Sequence, residues 1–438
     1  MALQKIDINT PQPNGKFGES ARSANIKNNS NITEIGERLE ALEEGTGGAG
    51  QAIEELRAEL QQETQERQQA VQQESAARSL AVEALQQADD ALGERIDAEQ
   101  IARQQQAEAL GFRILGKNRL INGDFRFWQR GTTSAAAAAR RYVADRWEVW
   151  SIGSTTQVDA MAINDGSIDP PVRYAQRVIV NSVPGAGSMA LLRQHIEDVR
   201  TDSGKTVTFA VRLYSQAASQ VAVNLSQNFG SGGSAAVNVP AQKVALVAGW
   251  QTLQLTFEVP SVAGKTIGTS SSLILQMWMD AGANYNDVTN TLGQRSGTYW
   301  FANAQLELGS MATAFEHVPE PVALANCQRY YEKSYDISTT PGTSVREGCV
   351  RTGLTGGFFM AMGSVSFKVT KRIGPAVITY AARNGAIGQL SEVNSTGNYV
   401  ANRSCNPSYI GQQNFNVGGD AYTAGSNGEY HWTADAEL

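Results

Sequence analysis

The N-terminal part of the chain lacks the residues from which globular cores are built. No aromatic residue lies between Phe17 and Phe112, and no proline lies between Pro13 and Pro170. Residues 51–110 hold 14 Gln, 13 Ala, 13 Asp or Glu and five Arg, a composition of strong helix formers with few apolar side chains. Because aromatic side chains supply much of the area that a core buries, this stretch cannot form a globular domain.

An eleven-residue repeat indicates what kind of helix this stretch forms. QQETQERQQAV is followed directly by QQESAARSLAV, so Leu60, Val71 and Val82 recur at intervals of eleven residues. Such a period favours a right-handed or nearly straight supercoil of several helices. A helix this polar is not stable alone, because its apolar stripe buries too little area to offset the loss of chain entropy. We therefore predict an oligomeric coiled-coil stalk over residues 51–117, with a solvated single helix or a disordered linker as the alternative; these positions do not decide between dimer and trimer.

Residues 1–50 form a separate N-terminal segment ahead of the stalk. Four apolar residues in it follow one short heptad seam: Ile32, Ile35, Leu39 and Leu42. The sequence Gly-Thr-Gly-Gly-Ala-Gly at 45–50 then interrupts the helical pattern, as glycine-rich runs do. We predict a hinge at this point.

Charge and cysteine content argue against several classes of protein. The formal net charge is -7, and no basic stripe is visible, so a nucleic-acid partner is not expected. Cys327, Cys349 and Cys405 match no zinc spacing, and the three histidines form no metal motif; neither a metal nor a cofactor is predicted. The sequence contains no apolar run long enough for membrane insertion and no secretory signal at its start, so synthesis in a cytoplasm is expected.

From Asn118 onward, aromatic residues appear and apolar residues alternate with polar ones. The alternation is clear in KTVTFAVRLYS, VAVNLS, TLQLTFEVP and SLILQMWM. Many short strands with turn signals between them, and no amphipathic helices, predict an antiparallel sandwich over residues 118–320. Residues 321–438 are predicted to form a second β-rich domain. The expected fold class is thus multidomain: an α-helical coiled-coil stalk, an all-β jelly-roll sandwich and a β-rich C-terminal domain.

Several phrases together resemble the shaft-to-tip region of bacteriophage tail fibre proteins. They cover about half of the chain: NRLINGDFRFWQRG, YVADRWEV, IEDVRTDSGKTVTFAVRLYS, GWQTLQLTFEVPSVAGKTIG and GTYWFANAQLELGSMATAFEHVPEPVALANCQRYYEKSY. In that family the central domain is a jelly-roll sandwich similar to carbohydrate-binding modules. The resemblance implies a homotrimeric fibre in the phage virion. Its N-terminus would attach to a tail or baseplate protein, and its C-terminal β domains would bind a host-surface receptor, expected to be a glycan.

Candidate ligand-binding residues are aromatic. Trp278 lies in SLILQMWM on the strand face opposite Leu273 and Leu275; because one face of that strand is expected to point outward, Trp278 is the candidate in the sandwich. Five aromatic residues of the C-terminal domain stand among Gly, Asn and Ser, the composition of adaptable binding surfaces: Tyr409, Phe415, Tyr422, Tyr430 and Trp432. Alternatively, these five fill a trimer axis. Residues 327–438 hold nine Lys or Arg against eight Asp or Glu, which favours a ligand held by stacking and hydrogen bonds over one held by ion pairs.

The other tryptophans of the family phrases are assigned to the core. Strand-embedded tryptophan usually supplies buried area, and this assignment covers Trp128, Trp147, Trp250 and Trp300. The alternative is that their rings stack on the C–H face of a sugar.

No catalytic residue is predicted, and the chain is not expected to be an enzyme. Glu197 and Asp198 are adjacent on a predicted strand, so their side chains point to opposite faces. Asp420 and Glu429 lie in predicted loops at an unknown separation. The alternatives to a receptor-binding fibre are a tailspike that degrades glycans through an acid/base pair and a structural or adaptor fibre without receptor contact.

Two further possibilities stay open at the sequence level. His431 and Cys405 are the one pair left for nucleophilic catalysis, with no feature in its favour. A structural calcium would find oxygen ligands in Asp280, Asp287 and Glu307, although no calcium-loop spacing is present.

Overall fold

The computed structural model describes residues 21–43, 49–111, 116–168, 171–353, 364–419 and 423–438. The chain divides into two compact units, residues 1–104 and 105–438.

The first unit is helical. Helix α1 spans Ala21–Glu43 and helix α2 spans Ala49–Gly111, so the predicted long helix is confirmed, whereas its assembly into a coiled coil stays a prediction. Of the predicted hinge at 45–50, residues 45–48 lie outside the described residues, whereas Ala49 and Gly50 belong to α2. None of the described helices is both long enough and apolar enough to cross a bilayer.

Helix α1 packs against the start of α2. Ile35 of the predicted seam is fully buried and Leu56 nearly so, while Arg38 lies 3.5 Å from Glu59 in a surface ion pair. The seam of α1 is therefore covered, at least in part, by the chain's own second helix, because folding back buries apolar area that neither helix buries alone.

The second unit begins with a sandwich of two antiparallel sheets. The first, called sheet A, has strand order β1-β4-β5-β13-β7-β11, and the second, sheet B, has order β10-β8-β12-β6-β3-β2 with β9 paired to β8. The strands are β1 (Thr133–Ala137), β2 (Arg140–Tyr142), β3 (Glu148–Ile152), β4 (Thr155–Ala162), β5 (Tyr174–Asn181), β6 (Met189–Glu197), β7 (Thr206–Ser215), β8 (Ser219–Asn228), β9 (Val237–Asn238), β10 (Gln242–Leu246), β11 (Gly249–Glu258), β12 (Ser272–Ala281) and β13 (Gly297–Leu308). Strands β5 to β8 and strands β10 to β13 alternate between the two sheets, whereas β2–β3, β4–β5 and β8–β9–β10 each stay within one sheet. Such crossing between two antiparallel sheets is typical of a jelly roll.

Alternating apolar residues put the core between the two sheets. Val207, Phe209 and Leu213 of β7 are fully buried and meet Leu273 and Leu275 of β12 in one apolar cluster. Strand β11 shows the predicted pattern, since Thr252, Gln254 and Thr256 are exposed, whereas Leu253 and Phe257 on the other face are buried. The predicted sandwich is confirmed in these strands.

A second set of sheets follows the sandwich. Helix α3 (Asn286–Thr289), preceded by a 3₁₀ turn, caps sheet B, and helix α4 (Glu320–Gln328) leads out of the sandwich. The remaining strands are β14 (Tyr331–Lys333), β15 (Val350–Gly353), β16 (Ser364–Ser366), β17 (Ala376–Ala381), β18 (Gln389–Val393), β19 (Tyr399–Ser404), β20 (Asn406–Ser408), β21 (Asn414–Gly418) and β22 (Asn427–Asp435). Sheet C has the order β14-β22-β18-β19 with β15 and β17 also paired to β22, and sheet D has the order β16-β21-β20.

The C-terminal residues join these sheets to the sandwich. Arg146 is buried, pairs with Glu437 and lies 3.4 Å from the ring centre of Tyr330. Arg130 lies 3.7 Å from the ring centre of Tyr331 and 2.9 Å from Asp435. These contacts remove charged groups from water, and breaking such a pair is costly because it leaves a buried charge alone. The sandwich and the C-terminal sheets therefore pack as one unit.

Candidate functional site

Trp278 does not lie on an open surface. Every residue of β12 is buried, so the expectation that one of its faces is open to solvent is wrong. The Trp278 indole nitrogen donates to Asn224 Oδ1 at 3.0 Å, and its ring lies 5.5 Å from that of Tyr285. The segment that carries Tyr285, Val288 and Leu292 packs over this face of sheet B, which removes Trp278 from solvent.

Three of the five C-terminal candidates belong to the core of their own domain. Phe415, Tyr430 and Trp432 are between 0 and 4 % exposed and pack in one apolar cluster, with the rings of Phe415 and Trp432 5.5 Å apart. Their ring faces are therefore occupied by neighbouring side chains and are not available to a ligand. The single chain buries these rings without a trimer axis.

The other two C-terminal candidates differ. Tyr409 is 85 % exposed and has a left-handed backbone with φ of 48°, so its ring is open to solvent. Tyr422 lies outside the described residues. The five candidates thus do not come together as one aromatic surface.

Two tryptophans assigned to the core lie on the outer face of sheet A instead. Trp128 and Trp147 are buried in the main core as expected, but Trp250 and Trp300 are half-buried. Strand parity explains the difference. Leu253 and Phe257 point inward, and Trp250, an odd number of residues away, points to the opposite face.

Strand register places three aromatic rings in one row. Trp250 of β11 and Trp300 of β13 are both directly opposite Tyr214 of β7. The Tyr214 ring stands edge-on to both, with ring centres 5.6 Å from Trp250 and 4.7 Å from Trp300. We call these three residues the aromatic face.

An ion pair extends the row across the next two strands. Arg177 of β5 lies opposite Trp300, and Asp159 of β4 lies opposite Arg177. The two charged groups are hydrogen-bonded, with Arg177 Nη2 2.6 Å from Asp159 Oδ2. Aromatic rings, a guanidinium group and a carboxylate are thus side by side on one sheet.

Polar residues surround the aromatic face along the strands. Arg212 Nη1 donates to Thr252 Oγ1 at 2.8 Å one step further along β7 and β11. Beyond it, Gln254 and Thr256 of β11 are exposed. Sheet A therefore presents flat aromatic surface flanked by hydrogen-bonding groups, an arrangement that can hold a flat, hydroxyl-bearing ligand.

The loop between β4 and β5 forms a wall beside the aromatic face. Ile168 and Val172 of this loop are buried against Ala175 and Ala302, and both tryptophans of the aromatic face pack against this cluster. The cluster holds each indole on one side and restricts its rotation. Such fixed rings bind with little loss of side-chain entropy.

An open cavity of about 400 Å³ is lined in part by the same loop. Arg173, Tyr174, Asn303, His317 and Glu320 contribute to its lining. Its volume is in the range of small-molecule sites, about 300–1,000 Å³. The lining contains positively and negatively charged side chains, which can donate and accept hydrogen bonds.

The corresponding outer face of sheet B is polar but covered. Glu148 is fully buried and accepts a hydrogen bond from Arg193 Nε at 2.6 Å, and His195 Nε2 lies 3.6 Å from the same carboxylate. Burial alone raises the pKa of Glu148, but the neighbouring His195 and Arg193 outweigh it and lower the pKa to about 2. Burial lowers the pKa of His195. Glu148 and Arg193 pair beneath the surface, and His195 Nε2 is buried without a hydrogen-bond partner among the described residues. None of the three groups is presented to a ligand.

The residues considered for catalysis are held in structural contacts. His431 accepts from or donates to Ser334 Oγ at 3.0 Å and has Val345 O 3.0 Å from Nε2, and burial raises the pKa of the Cys405 thiol to about 12. Glu429 is buried among arginines. Asp420 lies outside the described residues.

Two further sequence candidates, Glu197 and Asp280, are also held in local contacts. Glu197 pairs with Arg329 at 3.0 Å. Asp280, considered for calcium, accepts hydrogen bonds from Ser154 Oγ at 2.6 Å and Ser182 Oγ at 2.9 Å. Within the described ranges, no group of three His, Cys, Asp or Glu side chains is placed to hold a metal ion.

Comparisons with known proteins extend only to fold. No protein-family model matches the chain, and no curated protein matches it. Among solved structures, a CBM4 structure shares 17 % identity over 43 % of this chain and 98 % of its own, with a TM-score of 0.27. The enzymatically active domain of bacteriophage CBA120 tailspike protein 4 shares 15 % identity over 44 % of this chain and 22 % of its own, with a TM-score of 0.28. A family 11 carbohydrate-binding module from Clostridium thermocellum, in complex with a β-1,3-1,4-mixed-linked tetrasaccharide, shares 11 % identity over 41 % of this chain and 99 % of its own, with a TM-score of 0.26. At scores this low the function of this chain has to be argued from its own residues.

Proposed function

We propose that this chain is a phage tail fibre that binds a glycan on the host surface through the aromatic face of sheet A, without enzymatic activity. The row of Trp250, Tyr214 and Trp300 is the observation that carries the proposal. It is the described surface where fixed, half-buried aromatic rings stand beside a guanidinium group and a carboxylate.

The chemistry of this face suits a sugar. The C–H face of a pyranose ring is apolar and flat, and it packs against an aromatic ring, while its hydroxyl groups need donors and acceptors at the edge. Trp300 supplies the ring, and Arg177, whose side chain is 31 % exposed, supplies the edge group, while the buried Asp159 orients it. A protein or lipid ligand would call for a larger apolar surface than three half-buried rings.

A fibre also requires assembly, and helix α2 supports that part of the proposal. Five of its apolar side chains are between 49 and 71 % exposed and lie on one side of the helix: Val71, Val82, Leu85, Leu92 and Ile96. We propose that further copies of this chain cover this stripe, as the eleven-residue repeat favours, in a parallel homotrimer. The N-terminal segment would then attach to a tail or baseplate protein of the virion.

Sedimentation equilibrium of the full-length chain tests the assembly. We expect a trimer, and we expect Val82→Asp with Leu92→Asp to dissociate it, because buried charges without partners are costly. Leu80→Asp is the control, since Leu80 is 67 % exposed on the opposite side of α2. A monomeric wild type at micromolar concentration contradicts the proposal.

Binding of the labelled full-length chain to bacterial cells and to an array of bacterial surface polysaccharides tests the receptor role. We expect saturable binding to some strains, competition by the soluble polysaccharide of those strains, and no release of reducing ends. Release of reducing ends would instead identify a glycan-degrading tailspike. Absence of binding to every cell and polysaccharide would leave a structural or adaptor fibre.

A further inference from the structure

Three arginines converge on one carboxylate in the C-terminal domain. Arg346 Nη2 lies 2.8 Å from Glu429 Oε1, Arg383 Nε lies 2.9 Å from Glu429 Oε2, and Arg351 Nε lies 4.0 Å from Glu429 Oε1. The Glu429 side chain is 1 % exposed, whereas Arg346 and Arg351 are 51 and 52 % exposed. We call Arg346, Arg351 and Arg383 the arginine cluster. The Glu429 carboxylate beneath them is buried, whereas the N–H groups of Arg346 and Arg351 reach the surface.

The fold holds the three arginines in place. Arg351 lies opposite Glu429 in the pairing of β15 with β22. The loops that carry Arg346 and Arg383 are joined by a hydrogen bond of 2.6 Å from Ser344 Oγ to the Arg383 carbonyl. Gly385 has φ of 72°, and a Cβ atom there would lie 1.8 Å from the Gly342 carbonyl oxygen, so the two loops touch through their backbones.

The cluster carries more positive charge than the buried carboxylate requires. Burial raises the pKa of Glu429, but hydrogen bonds from Arg346 and Arg383 outweigh it and lower the pKa, so Glu429 is charged. Those two arginines already occupy both of its oxygens. Among the described residues, the other carboxylate beside the cluster is Glu347, which accepts a hydrogen bond from the Arg346 backbone N–H at 3.2 Å. Three arginines against two carboxylates leave a net positive charge.

A second buried carboxylate of sheet C shows that one arginine is enough to neutralise such a carboxylate. Glu392 is fully buried and is paired with one arginine, Arg403, at 2.7 Å, together with a backbone hydrogen bond from Thr423 at 2.8 Å. Glu429 has three arginines in the same type of setting. The repulsion among three close guanidinium groups is relieved when another anion binds between them.

The donors of Arg351 are available for such an anion. Its contact with Glu429 is 4.0 Å long, beyond hydrogen-bond length. Arginine presents its N–H groups as a planar fork that matches the oxygens of a carboxylate or phosphate group. The arginine cluster thus combines a buried carboxylate, Glu429, which holds two of the arginines in place, with the N–H groups of Arg351 at the surface.

Polar groups beside the cluster suit a saccharide that carries the anion. Ser391 of β18 lies opposite Glu429 of β22 on one side and opposite Asn402 of β19 on the other. The Tyr399 hydroxyl donates to Asn402 Oδ1 at 3.3 Å, and Tyr399 is 49 % exposed. Sugar hydroxyl groups would find the side chains of Asn402 and Tyr399 here, whereas Ser391 is buried and its Oγ accepts a hydrogen bond from the Arg383 N–H at 3.0 Å.

We infer that the arginine cluster is a binding site for an anionic group, a carboxylate or a phosphate, on a charged surface saccharide. The near balance of charge over residues 327–438 favoured stacking over ion pairing; the tertiary structure instead gathers three of its nine cations at one point. This site is separate from the aromatic face and does not depend on it.

Calorimetric titration of the full-length chain tests the inference, with inorganic phosphate, galacturonate and neutral galactose as probes. We expect saturable binding of at least one anion and none of galactose, with affinity falling as salt rises. Arg351→Gln should weaken anion binding by about tenfold, as loss of a charge-assisted hydrogen bond does. Arg351 is exposed, and Glu429 keeps two other arginines, so the fold should persist; an unchanged melting temperature checks this.

Two variants separate this inference from the proposed function. Arg200→Gln, which removes an arginine that is 63 % exposed and paired with Asp198, should leave anion binding unchanged, and Trp300→Leu should leave it unchanged as well. Stronger binding of phosphate would identify phosphorylated saccharides as the source, and stronger binding of galacturonate would identify uronates. No saturable binding of either anion, or an equal loss in Arg200→Gln, would overturn the inference.

Discussion

Trp300→Leu is expected to weaken binding of the full-length chain to its host-surface glycan by about thirtyfold, equivalent to about 2 kcal/mol, the usual cost of truncating a central contact residue. Leucine keeps apolar contact with Ala175 and Ala302 in the cluster behind the indole, but it removes the flat ring. Trp250→Leu should act in the same direction. The measurement is the dissociation constant for the polysaccharide selected on the array.

The control for this loss is Val247→Ala. Val247 is 64 % exposed and precedes β11, so the change removes apolar surface next to sheet A but outside the aromatic face. Its affinity should equal that of the wild type. If both tryptophan variants bind normally while Tyr409→Ala does not, the receptor contact lies in the C-terminal domain, and our assignment of the aromatic face is wrong.

Lys371→Met is expected to destabilise the C-terminal domain by about 3–5 kcal/mol, the cost of leaving one partner of a buried ion pair alone. Lys371 and Glu332 are both fully buried, and Lys371 Nζ lies 2.5 Å from Glu332 Oε2. The ammonium group also donates to the carbonyl groups of Gln328 at 2.6 Å and Val369 at 2.9 Å. All three hydrogen bonds are lost with the charge, and Glu332 remains buried without a counter-ion.

Calorimetric unfolding measures this effect. Lys368→Met is the matched control, because Lys368 is exposed and reaches Glu332 only through its backbone N–H; its unfolding temperature should stay within error of the wild type. Adding Glu332→Leu to Lys371→Met should recover part of the loss, since no charge then stays buried. A Lys371→Met protein as stable as Lys368→Met would show that the pair contributes nothing.

Much of the fold follows from local pattern. The absence of aromatic residues and the richness in Ala, Gln and Glu predict the long helix, because helix propensity and lack of core residues are properties of the local sequence. Alternation in β7 and β11 predicts both the strands and the side chains that point inward. These features need no knowledge of distant residues.

The sequence predicts only part of the candidate site. Parity alone places Trp250 on the outer face, since Leu253 and Phe257 occupy the inner one, and the same reasoning applies to Tyr214 beside Leu213. The assignment of Trp250 to the core overlooked this signal. Parity also places Trp278 on an outer face, correctly, but the open surface expected there does not exist.

Residue spacing along the chain is enough to predict the helix, the strands, and the face of each strand on which a side chain lies. Which outer face is open depends instead on the folded chain: the segment carrying Tyr285 and Leu292 covers Trp278, whereas sheet A leaves Trp250 and Trp300 half exposed. The folded chain also decides that Arg346 and Arg383 meet at Glu429. Both outcomes depend on strand register and on contacts between residues far apart in the chain, and no local spacing encodes those contacts.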